Sequence, residues 1–121
     1  MADSVIAMPL SASRLRERGF NQSYELAKHL APQKADGRTL LRLEHSIHQV
    51  GASRAERLAQ AHNTFWVAPL RIPELRGKRV VLVDDVMTTG ATMFEAARTL
   101  RQAGVARISG LVFARAQLTE S

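Results

Sequence analysis

The chain contains no cysteine, so it can build neither a disulfide framework nor a cysteine-ligated zinc site. It also has no apolar run near the roughly 20 residues that a membrane-spanning helix needs; its longest runs, such as Val80–Val83, are strand-sized. The N-terminus, Met1-Ala-Asp-Ser-Val, lacks the basic region and apolar stretch of a secretory signal. Internal repeats and low-complexity tracts are missing too. These features fit a protein of the reducing cytoplasm. A length of 121 residues predicts one compact domain, and a hydrophobic fraction of 45% is enough for a single core.

Negative charge is in short supply. Eleven acidic residues face 17 basic ones, for a formal net charge of +6, and most of the excess is arginine. Guanidinium groups fork onto phosphate and carboxylate better than ammonium groups do. A basic, arginine-rich small domain therefore suggests an anionic partner, whether nucleotide, nucleic acid or acidic protein. A solvated basic surface is the plainer reading of the same charge.

The hydrophobic pattern alternates between strands and helices. Ser4–Met8 is an apolar run stopped by Pro9, which reads as a strand entering a loop that carries Arg14, Arg16 and Arg18. Asn21–Ala31 reads as a helix capped by Asn21 or Ser23, with Tyr24, Ala27, Leu30 and Ala31 on one face. Thr39–Leu43 and Thr64–Val67 read as short strands, His45–Ser53 as loop, Arg54–His62 as a helix and Ala68–Gly77 as a connector. Arg79–Val83 has the β-branched composition of a parallel strand buried on both faces. A polar turn over Asp84–Gly90 follows, then a helix over Ala91–Ala103 with Met93, Ala96, Ala97 and Leu100 at helical spacing. Thr92 and Glu95 have capping-box spacing, and Gly104 stands where a helix-ending glycine belongs. Ala106–Ala114 completes a βαβ unit as another buried strand, so the expected fold is α/β with a three-layer, mostly parallel sheet.

The segment from Val80 to Thr92 (VVLVDDVMTTGAT) carries the chemistry. A buried strand delivers two adjacent carboxylates, Asp84 and Asp85, at its C-terminal end, where ligands bind in open α/β sheets. The turn and helix start that follow offer backbone N–H groups and the hydroxyls of Thr88, Thr89 and Thr92. With the positive end of the helix dipole they form an anion site sized for phosphate. Gly90 lets the backbone approach without a Cβ. Ionised Asp accepts hydrogen bonds only, which suits a ribose diol, and a divalent metal between diol and pyrophosphate relieves the repulsion. The segment thus predicts a phosphate with a diol beside it, as in a ribose 5-phosphate.

These residues closely resemble the motif with which type I phosphoribosyltransferases bind 5-phosphoribosyl-1-pyrophosphate (PRPP). The likeness extends through Met8-Pro-Leu-Ser, Arg14-Leu-Arg-Glu-Arg-Gly-Phe-Asn-Gln22, Leu26-Ala27, Gln49, the Ser53–Arg57 run and Asn63 ahead of Phe65. Over most of its length the chain is similar to the competence protein F (ComF) family, also grouped with gluconate-utilisation GntX proteins. The resemblance implies PRPP binding by Val83, Asp84, Asp85, Thr88, Thr89, Gly90, Ala91 and Thr92. It implies a pyrophosphate loop over Pro9–Asn21, with Pro9, Leu10, Arg18 and Asn21 as contacts. It also implies a mobile loop over about His45–Asn63 that brings Arg54 and Arg57 to the reacting centre beside Asp84 and Asp85. Mg²⁺ would arrive with PRPP near those two acids, with no direct protein metal site. Family members usually carry an N-terminal cysteine-rich zinc-binding region, so residues 1–121 are expected to correspond to the family's C-terminal domain.

Three functions from different classes follow. The first is a phosphoribosyltransferase passing the phosphoribosyl group to a nitrogen nucleophile, a base or an amine, with release of pyrophosphate. The second is a non-catalytic PRPP- or nucleotide-binding module working with DNA-uptake or recombination proteins. The third is a nucleic-acid-binding protein resting on the basic charge. A homodimer is the expected self-association. Plainer readings stand beside several residues. Arg14, Arg16 and Arg18 form a solvated cluster, Asn21 and Gln22 cap a helix, and Arg57 lies on a helix surface. His45 and His48 lack a third metal ligand, and His29 and His62 lie on helix surfaces. Met8, Met87 and Met93 fill gaps, and Trp66 beside Phe65 belongs to the core or an interface.

Overall fold

A computed structural model of the chain describes residues 2–42, 64–87 and 90–115. In chain order the elements are β1 (Ser4–Ala7), α1 (Ala12–Arg18), α2 (Gln22–Leu30), β2 (Ala35–Asp36), β3 (Leu40–Arg42) and β4 (Phe65–Val67). A 3-10 turn (Pro69–Arg71) then runs into the short α3 (Ile72–Leu75), followed by β5 (Arg79–Met87), α4 (Ala91–Gln102) and β6 (Arg107–Arg115). The main sheet has the order β2-β1-β5-β6 and is parallel throughout, while β3 and β4 form a separate antiparallel pair.

Strand alternation sorts the apolar side chains onto two faces of this sheet. Ile6, Val80 and Leu82 point to one face, where they pack with Leu40, Phe65 and Val67 from the small sheet, Leu75 from α3, and Ala96 and Leu100 from α4. Val5, Ala7, Val81 and Val83 point to the other and meet Tyr24, Leu26 and Ala27 of α2. Three layers result, and β5 is covered on both sides as its composition predicts. The chain leaves β1 towards β2 by way of α2 and leaves β5 towards β6 by way of α4. The two connections run in opposite directions across the sheet. Right-handed crossovers of that kind fall on opposite faces, which is where α2 and α4 lie.

Several sequence expectations change. The arginine-bearing segment after β1 is not an open loop but contains α1. Ser11 starts it by accepting a hydrogen bond from the Arg14 amide, and Gly19, at φ 82°, ends it in the left-handed region. No residue of α1 is buried, which is why no apolar period announced it. Strand β5 does not stop at Val83 but continues through both acids to Met87, because β6 pairs with it as far as Met87 and Arg115. Strand β6 is an edge strand among the described residues, and its Leu111 and Phe113 are 40% and 48% exposed, so it is not buried along its length. An apolar run does not distinguish a central strand from an edge. Leu30 is exposed, and Leu26 takes its place against the sheet. Trp66 is exposed too, since on a three-residue strand only Phe65 and Val67 face inward. The connector after β4 holds the 3-10 turn and α3. The helix expected over Arg54–His62, the loop over His45–Ser53 and the histidines within them lie outside the described residues.

Leu82 has no exposed surface and sits at the middle of the larger core cluster. Leu82→Ala is expected to cost about 2–5 kcal/mol of unfolding free energy in urea titrations, as large-to-small core changes do. Leu70→Ala, at a side chain 91% exposed, should stay within about 0.5 kcal/mol of the parent.

Candidate functional site

Strands β1 and β5 lie side by side at the centre of the sheet, and their outgoing connections diverge. This is the topological switch point at which open α/β sheets bind ligands, just beyond the carboxyl ends of the strands. The two strands stay paired as far as Ala7 and Val83, and a last bond joins the Met8 amide to the Val83 carbonyl at 2.8 Å. Beyond it β5 keeps β6 on one flank only, and on the other flank the chain after β1 turns away into α1. Asp84 and Asp85 occupy the first two positions past the parting.

Asp85 is held from α2. The Ser23 hydroxyl donates to Asp85 Oδ1 at 3.4 Å and accepts from the Asp85 amide at 3.2 Å, and Ser23 itself is buried. Sequence reading took Ser23 as a possible cap; the cap is Asn21, and Ser23 instead fixes the strand end. Asn21 works in two directions. Its Oδ1 accepts from the Tyr24 amide at 3.3 Å, which caps α2, and its Nδ2 donates to the Met8 carbonyl at 3.1 Å, which ties α2 to the end of β1.

Asp84 is buried, with 9% of its surface exposed. Its pKa rises to about 6, first because burial penalises the carboxylate and then because the Asp85 carboxyl stands beside it; Arg42 pulls the other way. Arg42, at the end of β3, was not singled out by sequence reading. It lies half-buried with its guanidinium 5.4 Å from the centre of the Phe65 ring. Burial lowers its pKa, followed by the charge of Arg14 on α1, while Asp84 raises it. The signal that could have found it is positional: a cationic residue at the inner end of a short strand, immediately before the segment read as a mobile loop.

Gly90 is the residue that precedes α4. It adopts φ 82°, and no side chain caps the helix. This replaces the expected capping box. Thr92 lies inside the first turn and Glu95 pairs with Arg98 at 2.9 Å. Thr92 is exposed at the start of α4, and Val83 is fully buried in the second core cluster, so its side chain anchors the strand. Pro9 is buried and Leu10 half-buried beyond β1, whereas Arg18 is exposed in the last turn of α1. Thr88, Thr89, Arg54 and Arg57 lie outside the described residues. The structure therefore brings together Asp84, Asp85, Gly90 and Asn21, adds Ser23 and Arg42, and leaves Arg18 at the periphery.

Comparison with known proteins was made against this geometry. Residues 17–120 match the phosphoribosyl transferase domain family. The chain is 34% identical over 120 residues to competence protein F of Haemophilus influenzae, covering 96% of this chain and 52% of that protein. It is 34% identical over 111 residues to the DNA utilization protein YhgH of Salmonella typhi, covering 89% and 47%. It is 34% identical over 102 residues to competence protein ComFC of Bacillus subtilis, covering 84% and 40%. The chain thus spans about half the length of the curated relatives it matches. Among solved structures, the allosteric regulatory enzyme of purine biosynthesis superposes with a TM-score of 0.62 at 20% identity, over 93% of this chain and 22% of that one. This likeness supports the three-layer parallel fold.

An acid whose pKa is raised on folding binds its proton more tightly in the native state. Native Asp84 holds more protons than the unfolded chain between about pH 4 and pH 6, so its contribution to stability falls as pH rises through that window. Asp84→Asn removes the penalty. Urea unfolding at pH 4.5 and pH 8 should show the variant gaining about 1–2 kcal/mol on the parent at the higher pH relative to the lower.

Proposed function

Since the chain belongs to the competence protein F family of phosphoribosyl transferase domains, we propose that the cleft where β1 and β5 part is a PRPP site. The observation that carries the proposal is the placement of Asp84 and Asp85 at the first two positions past the β1–β5 pairing, directly ahead of Gly90 and the start of α4. Ionised carboxylates at that point accept from the ribose hydroxyls. The uncapped first turn of α4 takes the 5-phosphate through its amides and dipole, joined by the hydroxyls of Thr88, Thr89 and Thr92. The pyrophosphate group extends toward the segment after β1, where Pro9, Leu10 and Asn21 lie.

Mg²⁺ fits this donor set. Two adjacent carboxylates, with no cluster of three or more acidic or histidine ligands among the described residues, leave a hard cation most of its positions for water and phosphate oxygens. When bound it neutralises pyrophosphate charge. The remaining work falls to the chain. It fixes the ribose through the two acids, the phosphate through the helix start and the pyrophosphate through arginines, including Arg54 and Arg57. In transfer, the bond from C1 to the pyrophosphate oxygen breaks, a bond from C1 to the acceptor nitrogen forms, and that nitrogen releases a proton. Positioning and charge stabilisation suffice for such a step because pyrophosphate is itself a good leaving group. The acceptor class is a base or an amine.

A second reading keeps the ligand and drops the transfer. Relatives are named for competence and DNA utilization, which favours a PRPP- or nucleotide-responsive module acting with DNA-uptake proteins. Incubation with Mg²⁺, PRPP and a panel of purines, pyrimidines and ammonia separates the two: pyrophosphate release supports the transferase, and silence across the panel supports the module. Direct nucleic-acid binding through the net charge of +6 would show as single-stranded DNA affinity that falls steeply with salt.

Calorimetric titration of Mg²⁺ and PRPP is expected to give saturable binding at pH 8 that weakens at least about tenfold in Asp85→Asn, the loss of one charged hydrogen-bond acceptor. Unchanged affinity removes Asp85 from the site. In the parent, affinity should also fall below pH 6, where Asp84 takes up its proton.

A further inference from the structure

Arg42 has five N–H donors and satisfies none of them within the described part of the molecule. Among the described residues it makes no hydrogen bond and no ion pair; its recorded contact is the face of Phe65 at 5.4 Å. The half-buried guanidinium is thus fixed from one side and open on its polar edge. Its place is set by pairing, since Arg42 stands opposite Phe65 at the end of the antiparallel β3–β4 pair. Two other charges act on it. One is Asp84 at the end of β5, and the other is Arg14 in the first turns of α1. Three elements far apart in sequence therefore converge at the cleft mouth, bringing two guanidinium groups near each other with one buried carboxyl to share. Arg18, the arginine favoured by the sequence motif, has no recorded influence on either group.

Two arginines drawn together repel, and a single carboxyl shared with Asp85 offsets only part of that cost. A ligand with at least two negative charges relieves the rest, and arginine forks match its oxygens. We propose that Arg42 and Arg14 form a two-arginine clamp for a diphosphate group, with Phe65 as the platform that holds Arg42 in place. The assignment of that diphosphate to the pyrophosphate end of PRPP rests on the function proposed above. The clamp also explains why the ring at position 65 is buried while its neighbour Trp66 is not: the ring supports a charged group at the cleft.

The test uses two probes on the whole chain, inorganic pyrophosphate and ribose 5-phosphate, titrated separately by calorimetry. The parent is expected to bind both. Arg42→Gln should weaken pyrophosphate at least tenfold while ribose 5-phosphate stays within twofold. Arg42→Lys, which keeps the charge but loses the fork and the stacking, should fall between, and Arg101→Gln on the exposed end of α4 should leave both affinities unchanged. Arg14→Gln should weaken pyrophosphate in the same direction. Because α1 buries no residue, it decides the matter alone if Arg42→Gln melts too early to titrate. Pyrophosphate affinity that survives in both Arg42→Gln and Arg14→Gln overturns the clamp and leaves the PRPP reading standing. A parent that binds pyrophosphate through the clamp but ignores ribose 5-phosphate sinks the PRPP reading and keeps the clamp. A parent that binds neither overturns both.

Discussion

The pairing of β1 with β5 ends at Ala7 and Val83, and the site follows from where it ends. Up to that point the two strands share a ladder buried under helices on both faces, and every side chain along it is apolar or small. One residue further, β1 has turned away and β5 continues with β6 alone. Burial by the core then gives way to a cleft wall within a single step of the chain. The two acids fall at that step. One position earlier they would need partners inside the core, and an uncompensated carboxylate there is costly. Several positions later they would be solvated and unremarkable in pKa. At the parting itself Asp84 keeps most of the burial, which raises its pKa, while Asp85 is steadied by the Ser23 hydroxyl.

The surroundings reinforce that geometry from several directions. Asn21 links the start of α2 to the Met8 carbonyl, so the helix that carries Ser23 is fixed to the strand that carries the other wall. The β3–β4 pair adds Leu40, Phe65 and Val67 to the larger core and, at its tip, holds Arg42 over Phe65. The cleft is thus walled by parts of the chain whose first duty is packing. Stability and site are not separate here, because the residues that seat α2 and the small sheet also aim the polar groups.

Much of this is legible in the sequence, for reasons that differ by residue. The β5–α4–β6 unit shows because a β-branched run, two acids and a helical apolar period each have a distinct physical pattern. Asp84 and Asp85 were located because carboxylates directly after a buried strand have few structural uses. Ser23 and Arg42 were missed because nothing in their neighbourhood marks them: their importance comes from contacts across 62 residues to Asp85 in one case and across a separate sheet in the other. Helix α1 was missed because it buries nothing and therefore has no period. The edge position of β6 was missed because strand order is a property of topology, not of the strand's own residues. Periodicity reports burial, and the groups that decide recognition at this cleft are placed by long-range packing.

The central claim is that the parting of β1 and β5 is where ligand sits, and amide chemical-shift mapping on isotopically labelled protein addresses it directly. Titration with Mg²⁺ and PRPP is predicted to move the amides of Asp84, Asp85 and Gly90 to Met93 most, with those of Met8 to Leu10 and Ser23 next, and to leave the outer residues of β6 near Ser109 still. Shifts centred on β6 or on the basic surface of α1 alone, with Asp84 to Met93 unmoved, would contradict it.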